Sequence, residues 1–243
     1  MTYCVGLRLN RGLVFMSDTR TNAGLDNFSM TRKIFTWTVP GERLVTIMTS
    51  GNLATTQALV SLIDERSKAV VDRSPTILQE PAMFQVARLF GATLKEVIGQ
   101  SASSGQNASS QFKASLILGG QVKDGATTLF LIYPEGNFVE VTEETPFLQI
   151  GEAKYGKPIL MRAYDPDMSF SDAAKLLLVS FDSTVKSNLS VGLPFDLQIY
   201  VNDALDAGVE KRIEADDPAY QSISIGWGDA LRDAFKSLPT YDL

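Results

Sequence analysis

Residues 1–22, MTYCVGLRLNRGLVFMSDTRTN, decide the fold that the sequence predicts. Apolar and polar residues alternate along the first half of this segment, which is typical of a β-strand with one buried face. Asn10-Arg11-Gly12 then supplies a turn, and Leu13–Met16 continues as a second strand. The segment therefore predicts a β-hairpin that begins at Thr2.

The register of this hairpin decides which side chains share a face. A three-residue turn at Asn10-Arg11-Gly12 would place Leu9 opposite Leu13. In that register the polar face holds Thr2, Cys4, Asp18 and Arg20. The apolar face holds Tyr3, Val5, Leu7, Leu9, Leu13 and Phe15. A hydroxyl, a carboxylate and a guanidinium are thus predicted to meet on one face, and a slip of one residue would separate them.

Thr2 directly follows the initiator methionine. Aminopeptidases remove an initiator methionine when the next residue is small, so we expect the mature chain to begin at Thr2. That residue would then carry both a hydroxyl nucleophile and an α-amino group that can act as its base. The ordinary pKa of an α-amino group, about 7.7–8.0, lies close to neutral pH.

Composition excludes several classes of function. The 243 residues contain no histidine, which excludes Ser-His-Asp and Cys-His catalysis and histidine-ligated zinc. The single cysteine, Cys4, excludes an internal disulfide and is interpreted as a small packed residue. A net charge of −6 argues against binding to nucleic acid or to an anionic membrane surface. We therefore predict no cofactor, no metal and no nucleic-acid partner.

The chain has no segment that predicts a membrane association. Its longest apolar runs, such as Leu176–Val179, are far shorter than the roughly 20 residues that a spanning helix needs. The beginning of the chain lacks the basic and apolar regions of a secretory signal peptide. A cytoplasmic location is therefore expected.

Strand patterns come first along the chain, followed by two helices, further strands, a third helix and final strands. The predicted strands after the hairpin are Lys33–Val39, Leu44–Met48, Phe112–Leu118, Thr127–Tyr133, Phe138–Val141, Phe147–Ile150, Asp196–Val201 and Gln221–Ile225. The predicted helices are Leu53–Val71, Pro81–Ile98 and Ser171–Ser187. Because strictly alternating βαβ units are absent, we expect an α+β fold with two mostly antiparallel sheets. A single domain spans residues 1–243, with a C-terminal tail from about residue 226.

Several short motifs together resemble a known family. Proteasome β-type subunits, which are N-terminal-nucleophile hydrolases, share the layout of Thr2, Ser17-Asp18-Thr19-Arg20, Arg32-Lys33-Ile34 and Thr49-Ser50-Gly51. The segments Thr2–Asn27 and Gly151–Pro158 are similar in particular to the Anbu (ancestral β subunit) group of bacterial proteasome-type peptidases. The match covers almost the whole chain. It implies a four-layer αββα sandwich that self-assembles into rings or open ring-like spirals.

The resemblance also implies roles for single residues. Thr2 matches the nucleophile, and Lys33 matches the lysine that lowers the pKa of that nucleophile. Asp18 matches the carboxylate that pairs with this lysine. Gly51 matches the glycine whose backbone N–H forms the oxyanion hole, and Arg20 matches a structural arginine near the site.

Two positions depart from the family pattern. Family members carry an Asp-x-x-Ser pattern after the third helix, whereas this chain has Ser187 and Ser190 at the best placement. Placement at Asp182-Ser183 would fall inside the helix, and the two serines can equally be helix-end hydroxyls that bond the backbone. Glu152 stands where the family has serine, and it could pair with Lys33 or Lys154 or face solvent.

Three functions remain open at this stage. The first is a threonine peptidase that cleaves polypeptide or peptide substrates through an acyl-threonine, inside a homo-oligomeric particle. The second is a weakly active or inactive proteasome-like scaffold, suggested by the altered Ser187 region. The third is a small-molecule amidase. The threonine at position 2 argues against it, because such amidases often use a cysteine or serine nucleophile. An ATPase or adaptor partner is neither predicted nor excluded.

Overall fold

Two five-stranded antiparallel sheets stack face to face in the computed structural model, which describes residues 2–22, 28–68, 76–101 and 111–241. In chain order the strands are β1 (Tyr3–Leu9), β2 (Gly12–Asp18), β3 (Arg20–Asn22), β4 (Phe28–Met30), β5 (Ile34–Val39), β6 (Arg43–Gly51), β7 (Ala114–Val122), β8 (Thr128–Ile132), β9 (Phe138–Glu140), β10 (Phe147–Gly151), β11 (Phe195–Val201) and β12 (Val209–Ile213). The helices are α1 (Leu53–Ser67), α2 (Met83–Ser101), α3 (Lys157–Ala163), α4 (Phe170–Ser187) and α5 (Pro218–Lys236).

The strand order explains how one end of each sheet meets the start of the chain. The first sheet runs β10-β1-β2-β11-β12, so β1 lies between β2 and β10. The second sheet runs β5-β6-β7-β8-β9, and a short ribbon of β3 and β4 joins β2 to β5 along the chain. Residues that end β2, begin β5 and end β6 are therefore brought towards Thr2.

The hydrophobic core forms three layers of contact between four layers of structure. Between the sheets lie side chains such as Cys4, Phe15, Met48, Ile117 and Tyr200. A second cluster joins the outer face of the β5–β9 sheet to α1 and α2. A third joins the outer face of the β1-containing sheet to α3, α4 and α5. The four-layer αββα sandwich implied by the family resemblance is confirmed.

The predicted register of the first hairpin is wrong by one residue. Leu9 pairs with Gly12 and Cys4 with Ser17, so the turn holds only Asn10 and Arg11. Gly12 belongs to β2 because its missing side chain lets β11 approach. A Cβ at Gly12 would lie 1.9 Å from the Tyr200 carbonyl oxygen.

This register also corrects the predicted faces. Because alternate residues point to opposite faces, Thr2 and Asp18 belong to opposite faces of the hairpin. Val14 and Met16, rather than Leu13 and Phe15, share the helix-facing side with Tyr3. Cys4 is buried between the sheets, as its interpretation as a packed residue requires.

Most predicted elements are present, with shifted ends. Helix α4 lies within one residue of its prediction and is capped by the Ser169 hydroxyl, which accepts from Asp172 N at 3.0 Å. Helix α1 ends at Ser67, before the predicted end at Val71, which lies outside the described residues. The predicted strand at Phe112–Leu118 begins at Ala114 and runs on to Val122. None of the described helices is long and apolar enough to cross a membrane.

The predicted strand at Gln221–Ile225 is wrong, because these residues lie inside α5. The alternation of Ser222, Ile223, Ser224 and Ile225 imitates a strand. A stronger helix signal precedes it. The Asp217 carboxylate accepts from the Ala219 and Tyr220 amides, and Pro218 occupies the first helical turn. Helix α3 and strand β12 were also missed, since both are short and β12 is mostly exposed.

A buried polar contact fixes α5 on α4. The Tyr220 hydroxyl donates to Asp182 Oδ1 at 3.2 Å, and Lys186 Nζ lies 2.8 Å from Asp182 Oδ2. Burial, with the adjacent Asp182 carboxylate, raises the pKa of Tyr220 above its ordinary value. The Tyr220 ring also packs edge-on against Phe195, with centroids 5.6 Å apart.

We expect Tyr220→Phe to lower the free energy of unfolding by about 1–2 kcal/mol, because the buried Asp182 carboxylate loses a donor. Urea unfolding followed by circular dichroism measures this change. Tyr241→Phe is the matched control, since Tyr241 is 85% exposed and should tolerate loss of its hydroxyl. Equal stability of Tyr220→Phe and the wild type would contradict the anchoring role of this contact.

Candidate active site

A buried ion pair joins the end of β2 to the beginning of β5. Lys33 Nζ lies 2.7 Å from Asp18 Oδ1, and both side chains are almost fully buried. Lys33 Nζ also donates to the Arg20 carbonyl oxygen at 2.7 Å. Asp18 Oδ1 in turn accepts from the Tyr3 amide at 2.9 Å, so the pair also holds the start of β1.

The surroundings of Asp18 have opposing effects on the pKa of its carboxyl group. Burial raises the pKa of the Asp18 carboxyl above its ordinary value. The Lys33 ammonium opposes this rise, as do hydrogen bonds from the Tyr3 and Gly192 amides. A carboxylate in this position needs its cation, because an uncompensated buried charge is strongly destabilising. Asp18 therefore fixes the position of the Lys33 ammonium.

Thr2, Lys33 and Gly51, three of the predicted site residues, line one cavity of about 360 Å³. Thr2 is partly exposed there, whereas Lys33 lines the cavity but is almost fully buried. The other lining residues are Thr21, Arg32, Thr49, Ser50, Leu53, Thr56 and Gly151. Residues that are 49 positions apart in the sequence are thus brought to one opening.

The backbone at Gly51 requires glycine. Its φ is +113°, and a Cβ there would lie 2.4 Å from the Lys113 carbonyl oxygen. Gly51 is the last residue of β6, and Asn52 caps the helix that follows by accepting from Thr55 N at 3.0 Å. The N-terminus of α1 therefore begins at the cavity, where its dipole favours negative charge.

Gly151 packs against the Thr2 carbonyl oxygen, and the sequence did not predict a role for it. Its φ is +82°, and a Cβ there would lie 1.8 Å from the Thr2 carbonyl oxygen. The next residue, Glu152, donates its backbone N–H to that same oxygen at 2.7 Å. The available signal was a Gly-Glu pair directly after the apolar β10 segment.

Glu152 adopts none of the three arrangements considered from the sequence. It is only 7% exposed, so it does not face solvent, and Lys33 is engaged with Asp18 instead. The Glu152 carboxylate accepts from Asn188 Nδ2 at 2.9 Å. Asn188 is a residue that sequence reasoning missed, because it looked like an ordinary helix end.

Ser187 is the last residue of α4 and Ser190 lies in the loop after it, and neither is among the described residues that line the cavity. The Ser187 hydroxyl is exposed and donates to the Ser183 carbonyl oxygen at 2.7 Å, as a helix-end hydroxyl does. The Ser190 backbone N–H donates to Asn188 Oδ1 at 2.9 Å. Asn188, rather than either serine side chain, thus connects this loop to Glu152.

Arg20 supports the loop that follows α4. Its Nη1 donates to the Leu189 carbonyl oxygen at 2.9 Å. A Cβ at Gly192 would lie 2.3 Å from the Arg20 guanidinium carbon, so this loop closely covers the side chain. Arg20 therefore joins the beginning of β3 to the loop that follows α4.

The chain matches the family model described as proteasome subunit over residues 2–197. A search of curated proteins returned no match.

Solved structures of Anbu proteins are similar to this chain over nearly their full lengths. An Anbu mutant from Hyphomicrobium sp. strain MC1 is 49% identical, with a TM-score of 0.93 and complete coverage of both chains. Anbu from Yersinia bercovieri is 43% identical, with a TM-score of 0.91, over 99% of this chain and 100% of that one. The helical assembly of the Anbu complex from Pseudomonas aeruginosa is 41% identical, with a TM-score of 0.91 and coverage of 99% and 98%.

We expect Lys33→Met to lower the free energy of unfolding by about 3–5 kcal/mol, because it leaves the Asp18 carboxylate buried without a cation. Combining it with Asp18→Asn should restore part of this loss, since the neutral pair needs no compensation. Urea unfolding of the single and double variants measures the coupling.

Arg32→Met provides the matched control for this loss. It removes one partner of the exposed Arg32–Glu210 pair and should cost less than about 1 kcal/mol. Equal destabilisation by Lys33→Met and Arg32→Met would contradict the assigned importance of the buried pair.

Proposed function

The chain belongs to the proteasome subunit family, and from this premise we propose that it is a threonine-dependent N-terminal-nucleophile hydrolase that cleaves peptide bonds. The juxtaposition of Thr2 and Lys33 at one cavity carries the proposal. Its support is the buried Asp18–Lys33 pair, which holds a fixed cation beside the residue that would become the N-terminus. Met1 lies outside the described residues and must be removed for this chemistry.

The first step is attack by Thr2 Oγ1 on the carbonyl carbon of the substrate. The Thr2 α-amino group accepts the hydroxyl proton, since the chain has no histidine to do so. The nearby Lys33 ammonium favours the negative charge that develops on Oγ1. Asp18 keeps that ammonium at the cavity but does not contact the substrate.

The tetrahedral intermediate places a negatively charged oxygen at the N-terminus of α1. The Gly51 backbone N–H is the proposed donor to that oxygen. One such donor lowers the activation free energy by about 2.7–4 kcal/mol. The positive φ of Gly51 and its close approach to Lys113 O fix this backbone. The C–N bond then breaks, the α-ammonium protonates the leaving amine, and water hydrolyses the acyl-threonine.

A peptide fits the surroundings of Thr2 better than a small amide does. A second cavity of about 390 Å³ shares Ser50, Gly51 and Gly151 with the first. It continues past these residues towards Lys113 and Tyr133. Two adjoining cavities that meet at the proposed oxyanion donor suit an extended chain with residues on both sides of the cleaved bond.

The proposal includes self-assembly into a homo-oligomer. Large apolar side chains are exposed along α5 and just beyond it, where α4 leaves one face uncovered: Ile225, Leu231, Phe235 and Leu238. Isolated soluble domains seldom expose such a series unless another surface covers it. The similar Pseudomonas aeruginosa protein forms a helical assembly.

A scaffold with little hydrolysis is the second candidate, favoured by the surroundings of α4. The Ser187 hydroxyl bonds within its own helix, whereas Asn188 bonds Glu152, whose backbone N–H donates to the Thr2 carbonyl oxygen. This candidate predicts assembly without acylation.

We expect a peptidyl epoxyketone to form one adduct at Thr2, because this probe reacts with both the hydroxyl and the amine of a terminal threonine. Intact-protein mass spectrometry followed by fragment mapping detects the adduct and the removal of Met1. Thr2→Ala should abolish it, whereas Cys4→Ala should retain it.

The alternatives give different results in the same experiment. Removal of Met1 without an adduct favours the scaffold, and retention of Met1 contradicts the catalytic proposal. Faster turnover of simple acyl amides than of peptides would favour a small-molecule amidase.

We expect the purified protein to have a mass many times that of one 26.5 kDa chain at micromolar concentration. The reason is that the exposed apolar side chains of α5 gain stability when they are covered. Size-exclusion chromatography with light scattering measures this mass, and a monomer would contradict the assembly proposal.

A further inference from the structure

Glu152 is a buried carboxylate for which the described part of the chain supplies no ion-pair partner. Its side chain accepts one hydrogen bond, from the neutral amide of Asn188 at 2.9 Å. Asn188 is itself fixed, because its backbone N–H donates to Thr184 O and its Oδ1 accepts from Ser190 N. A buried charge with only one neutral donor is expensive, so this site calls for a cation.

The position of Glu152 points to the source of that cation. Strands β1 and β10 pair Tyr3 with Gly151, and Thr2 and Glu152 are the residues directly beyond this last pair. The Glu152 N–H donates to the Thr2 carbonyl oxygen at 2.7 Å, which confirms that the two backbones remain in contact.

The other charged groups near Thr2 are bonded to other partners or exposed to solvent. Asp18 and Lys33 neutralise each other, and Arg32 on the cavity wall pairs with Glu210. Arg20 bonds the Leu189 carbonyl oxygen, and Lys154 is exposed. The three buried charges near Thr2 are those of Asp18, Lys33 and Glu152, and they sum to one negative charge. A free α-ammonium on Thr2 would balance it.

We propose that Glu152, held by Asn188, is the counter-ion that positions the α-amino group of Thr2 after removal of Met1. This inference rests on the free N-terminus of the proposed function. Glu152 is a positioning residue, since it acts on the amine and not on the substrate. An adjacent carboxylate favours the protonated amine, so this base becomes available at higher pH than it would beside a serine.

The experiment follows the titration of the Thr2 amine without requiring hydrolysis. A trace of acetic anhydride labels the protein over a series of pH values, and mass spectrometry quantifies the label on the Thr2 nitrogen. Only the neutral amine reacts, so the rate gives the pH at which half of the amine is deprotonated. We expect Glu152→Gln to lower this midpoint by about one pH unit or more.

Matched variants separate charge from structure. Glu140→Gln removes an exposed carboxylate on β9 and should leave the midpoint unchanged. Glu152→Asp keeps the charge and should stay nearer to the wild type than Glu152→Gln does. Asn188→Ala leaves Glu152 intact but unheld, and it should lower the midpoint by a smaller amount. Asn188→Ala also provides the test if Glu152→Gln fails to fold.

Each outcome has a distinct meaning. An unchanged midpoint in folded Glu152→Gln, or an equal fall in Glu140→Gln, would overturn the inference. A shifted midpoint in a protein that forms no epoxyketone adduct would support Glu152 as the counter-ion while contradicting the proposed hydrolase. Retention of Met1 would overturn both.

Discussion

The contact between Asp18 and Lys33 is the interaction on which the rest of the site depends. It is a 2.7 Å ion pair with almost no solvent exposure, and it joins the end of β2 to the beginning of β5. Because the same carboxylate oxygen accepts from Tyr3 N, the pair also fixes the start of β1. A buried pair of this kind adds little net stability by itself, but losing either partner is costly. The arrangement therefore specifies geometry, which is what a preorganised site requires.

Two contacts hold the backbone of Thr2, directly before β1 begins. The Thr2 carbonyl oxygen contacts the backbone of Gly151 and accepts a hydrogen bond from the Glu152 N–H. Both contacts depend on Gly151, which has no side chain to prevent the close approach. Beside it, Gly51 ends β6 in a conformation that other residues rarely adopt. Two glycines with positive φ lie at one cavity, and at each a side chain would clash with a neighbouring carbonyl oxygen, so the backbone there is closely packed. The same rigidity would hold a nucleophile, its base and an oxyanion donor in place.

The sequence predicted the fold better than it predicted the details of the hairpin. Alternating apolar residues gave the strands, and helical spacing gave α4 almost to the residue. The register failed at Gly12, because nothing local shows that β11 must approach that glycine. The strand at Gln221–Ile225 failed for a related reason, since the Ser-Ile alternation was overridden by the Asp217 cap and by packing of Tyr220 on Phe195. Asp18 still met Lys33, although the hairpin register that first suggested a shared face was wrong.

By itself, the sequence determined which chemistry is available. The absence of histidine leaves the Thr2 amine as the natural base near neutral pH, and the patterning of apolar residues favours two sheets covered by helices. Only the tertiary structure decided which polar side chains surround Thr2. Glu152 and Asn188 are 36 positions apart and meet only because β10 and the end of α4 converge on the start of β1. Such contacts are set by the stacking of whole layers, which periodicity within one segment does not encode.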